Sequence, residues 1–112
     1  MIIKENIKLI NSNFEWKLVD SVTGQTAITL PITFNELLLH AKCTDGYPVT
    51  TVIPSVLVVE GFKPYWGCGR DSNSGYDVQA YALVSEGQIS LQQFFKNATK
   101  MSTTATFEVY YR

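Results

Sequence analysis

Polar and apolar residues alternate along most of this chain. From Thr104 to Tyr111, Ala105, Phe107, Val109 and Tyr111 fall on one side, and Thr104, Thr106, Glu108 and Tyr110 on the other. That period of two is what a half-buried strand requires. The same alternation separates Tyr76, Val78, Ala80, Ala82 and Val84 from Asp77, Gln79, Tyr81 and Leu83, and it separates Leu37, Leu39, Ala41 and Cys43 from Leu38, His40 and Lys42. Over Phe14 to Asp20 it sets Phe14, Trp16 and Leu18 on one face against Glu15 and Lys17, which predicts Trp16 in the core. Further strands are expected over residues 2–10, 26–30, 48–53, 65–69 and 88–95, the last with Ile89 and Leu91 inward. The run 55–60, mostly Val and Leu, reads as strand or as a short helical turn.

Turn signals cut these segments at the spacing of a sandwich or barrel. They are Ser21–Gln25 with Gly24, the corner at Thr33–Glu36, Asp45-Gly46, the polar loop Arg70–Gly75, Glu86-Gly87 and the polar stretch 96–102. No stretch sustains a 3.6-residue period. The pattern therefore predicts an all-β, antiparallel two-sheet sandwich, jelly-roll-like, of seven to nine strands, with Phe107, Val109, Val78, Ala80, Leu39 and Trp16 buried together.

Length and charge narrow this further. The chain has 112 residues, enough for one domain and one core, read here as a single sandwich over 1–112 with residues 1–12 as an N-terminal arm or edge strand. Hydrophobic residues are 46% and charged residues 17%, which argues for a folded chain. Nine basic against ten acidic residues leave no footprint for nucleic acid or an anionic membrane, and the low charge favours association with a partner or with further copies. Charges at Lys4, Glu5 and Lys8 interrupt the first ten residues, so neither a signal peptide nor a membrane insertion is expected, and synthesis in the cytoplasm is. Asn97-Ala98-Thr99 matches the glycosylation pattern but has no meaning without secretion. Cys43 and Cys68 sit in strand interiors without metal-ligand spacing and are expected to be reduced, buried thiols.

Catalytic chemistry finds little support in this pattern. His40 is the one histidine and lies inside a strand, so no metal site or dyad is built around it by sequence. No Gly-x-Ser-x-Gly frames a nucleophile. Asp71 and Asp77 are candidate paired carboxylates only at the ends of a hairpin loop. Asp71-Ser72-Asn73-Ser74-Gly75 resembles the start of a calcium loop but lacks the later Glu, and polar turn residues explain it as well. The expectation is a protein without enzymatic activity, cofactor or metal.

The aromatic residues are the stronger candidates. Tyr47, Tyr65, Trp66 and Tyr76 lie near glycines and the loops joining the central strands, where rings stack on sugars or anchor a partner. Asp71 and Asn73 would supply polar contacts beside them. Gly67 and Gly69 flank this set and permit close approach of a ligand or of a neighbouring backbone. The other reading is that Tyr65 and Trp66 are ordinary core and strand-face residues.

Three segments, Phe34-Asn35-Glu36-Leu37-Leu38-Leu39, Val52-Ile53-Pro54-Ser55-Val56-Leu57 and Thr103 to Arg112 ending Val-Tyr-Tyr-Arg, resemble in order and spacing the C-terminal β domains of tail and receptor-binding proteins of phages and prophages of Gram-positive bacteria. The resemblance runs from about residue 26 to 112 and includes the Tyr- and Gly-rich stretch 65–76. It implies a virion structural protein of the tail or fibre tip, commonly a homotrimer, with other tail proteins and host cell-wall glycan as partners and the virion as its location. The alternative is an oligomeric assembly module that binds no ligand. None of the resembling motifs is catalytic.

Overall fold

A computed structural model describes residues 15–42, 48–70, 77–96, 99–100 and 104–112, with the backbone alone described at 68–70, 77, 96, 99 and 100. These residues form nine strands: β1 Lys17–Thr23, β2 Ile28–Thr29, β3 Glu36–Lys42, β4 Val49–Pro54, β5 Tyr65–Arg70, β6 Asp77–Ser85, β7 Gln88–Lys96, β8 Thr99–Lys100 and β9 Thr106–Tyr111. The run after β4 is a 3₁₀ turn, Ser55–Leu57, none of whose residues is buried. The expected strand at 2–10 and the turn at Asp45-Gly46 lie outside the described residues.

Two antiparallel sheets carry the fold. The first has the order β1-β9-β3-β4, and the second β2-β7-β6-β5, with β8 joining β2 on the free edge of β7. The last strand thus lies beside the first and the seventh beside the second, a jelly-roll-like wrap, while β3–β4 and β5–β6–β7 close as hairpins within one sheet. Each sheet contributes alternate residues to one interior. Val22, Phe107, Ala41 and Val49 form a row across the first sheet, and Phe94, Ala80 and Trp66 a row across the second. Leu37, Leu39, Val78, Leu91 and Val109 are fully buried around them.

The β6–β7 connection is a two-residue loop, Glu86-Gly87, with Ser85 paired to Gln88. Both residues have positive φ, 55° and 74°, the pairing that matches the twist of a hairpin. At the C-terminal end, the carbonyl of Arg112 accepts from the backbone N–H of Asn35 and Glu36 at 2.8 and 3.0 Å, so β9 stays tied to the start of β3.

Three bulges set which side chains face inward, and one of them corrects an expectation. The register of β1 shifts between Leu18 and Asp20, so Val19 and Val22 pack on the core while Leu18 is 54% exposed. One added residue reverses the phase of an alternating strand. Trp16 is accordingly half-buried rather than in the core, lying 4.1 Å beneath the Arg112 guanidinium. In β7 the shift opposite Tyr81 and Ala82 leaves Gln92 unpaired in the register and turns Phe94 inward beside Ile89 and Leu91. In β5 the shift falls between Gly67 and Gly69. There a Cβ on Gly67 would lie 2.7 Å from the Val78 carbonyl oxygen, so the close approach this glycine permits is that of the neighbouring strand.

Candidate functional site

The sequence-derived aromatic set does not converge on one surface. Trp66 is 7% exposed and belongs to the core. Its indole N–H donates to the Val49 carbonyl at 3.1 Å and its ring lies 6.3 Å from that of Phe107. β5 and β4 are edge strands of different sheets, so this bond ties the two sheets together along one side. A ring enclosed in this way is no stacking platform for a sugar, which corrects the expectation placed on it. The physical cause is the alternation itself: Tyr65 faces out, so Trp66 faces in.

Tyr65 is 61% exposed on the outer face of the second sheet. It stacks on Tyr81 with ring centroids 6.3 Å apart at 28°, and its hydroxyl donates to Gln79 Oε1. Tyr81 and Gln79 were not among the sequence candidates, although their outward positions in β6 and antiparallel pairing with β5 are the signal that places them beside Tyr65. Tyr47, Asp71, Asn73 and Tyr76 lie outside the described residues. Arg70 and Asp77, which bound residues 71–76 in sequence, pair with each other four positions along β6 from the Tyr65–Tyr81 pair, roughly 13 Å away at the rise of a strand. Cys43 and the side chain of Cys68 likewise lie outside what is described.

His40 sits on the outer face of the first sheet. Its Nδ1 is 2.8 Å from Thr50 Oγ1, and Glu108 is its register partner on the other side. A hydroxyl, an imidazole and a carboxylate thus share one cross-strand row on an open sheet surface. Catalysis would require, in addition, a pocket and donors for developing charge. Neither of the two clefts described below includes this row. Among the described residues no group of three or more His, Cys, Asp or Glu side chains is placed to hold a metal ion, and no helix is long and apolar enough to cross a membrane.

The clefts lie at one end of the sandwich. The larger, of about 530 Å³, is lined by Leu30, Pro31, Ile32, Phe34, Val58, Val59 and Val84, with Glu60 and Glu86 at its rim. Glu60 is held by the Ser85 hydroxyl at 3.0 Å and the Glu86 backbone N–H at 2.8 Å. Its carboxylate is therefore engaged in fixing the β6–β7 turn. A second cleft of about 260 Å³ lies over Lys17, Phe34, Tyr111 and Arg112.

An apolar row outside the core runs across the first sheet. The register places Leu18, Tyr110, Leu38 and Val52 side by side, one from each of β1, β9, β3 and β4. Leu18 and Val52 are 54% and 43% exposed, and the central pair is half-buried by its neighbours. On one side of this row stand Arg112 and Glu36, joined at 2.9 Å; on the other stand Glu108 and His40. Such a row, running from edge to edge of a sheet between two polar borders, is the type of surface that covers itself with a partner.

No protein-family model, curated protein or solved structure matches this chain.

Proposed function

We propose that this protein is a structural assembly module of the phage-tail-tip kind, a small β sandwich that acts through contacts between copies and with neighbouring tail proteins rather than by chemistry. The observation that carries the assembly reading is the row Leu18–Tyr110–Leu38–Val52, apolar across all four strands of the first sheet and open to solvent at both ends. The low charge of the chain and the resemblance of its 34–39, 52–57 and 103–112 segments to tail and receptor-binding domains support the same reading. A homotrimer is the order that resemblance implies. Sedimentation equilibrium between about 1 and 100 μM, the span in which a binding free energy of roughly 5–8 kcal/mol populates the complex, tests it. A monomer throughout would overturn the reading, and recovery of the chain from purified phage particles would place it in the virion.

One observation favours a second reading, host-glycan binding at the outer face of the second sheet. Tyr65 and Tyr81 form a stacked aromatic pair there beside the amide of Gln79, the combination of apolar ring and polar edge that sugars use. Loss of cell-wall glycan binding in Tyr65→Ala, with the fold intact, would establish it. Unchanged binding in that variant would remove it.

A further inference from the structure

We propose that the outer face of the first sheet pairs with the same face of a second copy about a two-fold axis, with the charges flanking the apolar row setting the register. The proposal rests on the assembly reading above and names its surface and symmetry. On the two central strands, the row Tyr110–Leu38 is bordered at one end by Arg112 on β9 and Glu36 on β3, and at the other by Glu108 on β9 and His40 on β3. The four positions make a checkerboard: a cation diagonal to the imidazole, and a carboxylate diagonal to a carboxylate.

A checkerboard is complementary to itself. Laying the face on its own copy about an axis along the apolar row sets Arg112 over Glu108 and Glu36 over His40. Turning the axis to run along the strands sets Arg112 over Glu36 and Glu108 over His40. Either arrangement places leucine and tyrosine of one copy on leucine and tyrosine of the other and puts no carboxylate over a carboxylate. A two-fold contact of this kind uses the same patch on both copies and closes at two, an order distinct from the three implied by resemblance. With strands ~4.8 Å apart and five residues at ~3.4 Å, each copy offers a face of about 19 by 17 Å. The two faces together amount to roughly 650 Å² of sheet plane, below the roughly 1,000 Å² of a stable interface, so the pairing expected is weak and transient, with a dissociation constant of about tens of micromolar or above.

The test is sedimentation equilibrium of the full chain from about 1 to 300 μM, a span that brackets the expected constant, with circular dichroism as the check on folding. Wild type should reach twice the monomer mass. Leu38→Asp should raise the dissociation constant more than about 30-fold by burying an unpaired charge. Val52→Asp, on an edge strand and already 43% exposed, serves the same purpose if Leu38→Asp does not fold. Glu108→Arg, which places two arginines over one another under the axis along the row and removes the carboxylate facing His40 under the other, should weaken pairing about tenfold. Association to a dimer or trimer that survives Leu38→Asp and Val52→Asp would overturn this face while leaving the assembly reading standing. Loss in those variants with no response to Glu108→Arg would overturn the charge-set two-fold. A monomer at every concentration would overturn both.

Discussion

The outer faces of the two sheets are built from strands of the same alternation, yet they deal with water in opposite ways. On the second sheet the outward residues are Tyr65, Tyr81, Gln79, Gln93, Ser90 and the half-buried Leu83 and Phe95, the last two set opposite the polar Ser90 and Gln79, and much of the polarity is satisfied locally. Tyr65 donates to Gln79, the Gln92 amide to the Ser90 hydroxyl, and the Gln25 amide to the Gln92 carbonyl. On the first sheet the corresponding middle row is Leu18, Tyr110, Leu38 and Val52. Polar groups there are displaced to the row's two borders, Arg112 with Glu36 and His40 with Thr50. One exterior is complete as a monomer surface, whereas the other leaves an apolar strip in water. Alternation decides which residues leave the core, but their chemistry decides whether the surface so formed is finished.

That contrast presupposes an interior shared by both sheets, and the strongest way to break it is at the bond that joins them. Trp66→Ala should cost about 3–5 kcal/mol in urea unfolding, since it empties a large core site and leaves the Val49 carbonyl without its indole donor. A loss below about 1 kcal/mol would mean that the two sheets are not held along the β4–β5 side as described. Gly67→Ala should follow at about 1–3 kcal/mol, because its Cβ meets a backbone oxygen that cannot move without shifting β6.

The smaller effects separate the faces themselves. Tyr65→Ala should cost about 1 kcal/mol, the worth of an exposed aromatic cross-strand pair, and leave the mass in solution unchanged. Arg112→Ala should cost the isolated chain only about 0.5–1 kcal/mol, since the ion pair with Glu36 is about one-third exposed and the contact with Trp16 lies at the surface. Unlike Tyr65→Ala, it should lower the mass at a fixed concentration. If the two variants exchanged these outcomes, the assignment of finished and unfinished faces would be reversed.

Much of this arrangement was legible from period-two patterning. The described inward residues of β3, β6 and β9 follow the alternation, which is why Leu37, Leu39, Ala41, Val78, Ala80, Ala82, Val84, Phe107 and Val109, with Ala105 just before β9, are all buried and Tyr111 is half-buried against them. The failures share one cause. A bulge adds a residue to one strand only, and nothing in the local pattern around Leu18-Val19 or Gln92 announces it. Trp16 and Leu18 therefore read as core and lie outside, and Phe94 was not singled out although it is fully buried.

The candidate site was less legible for a related reason. Adjacency of Tyr65 and Trp66 in sequence suggests one shared surface, but neighbours in a strand face opposite ways. Gly67 was read correctly as a point of close approach, with the strand beside it as the partner that approaches. The apolar row on the first sheet draws one residue from each of four strands distant in sequence, so only the register assembles it.

The claim that one outer face is unfinished and the other complete is tested most directly by following backbone amide shifts through a dilution series. Between about 500 and 10 μM, which spans the weak association expected of a face this size, the amides of Leu18, Leu38, Val52 and Tyr110 should move together along a single binding curve, while those of Gln79, Tyr81 and Gln93 stay fixed. Shifts confined to the second sheet, or no concentration dependence on either, would contradict it.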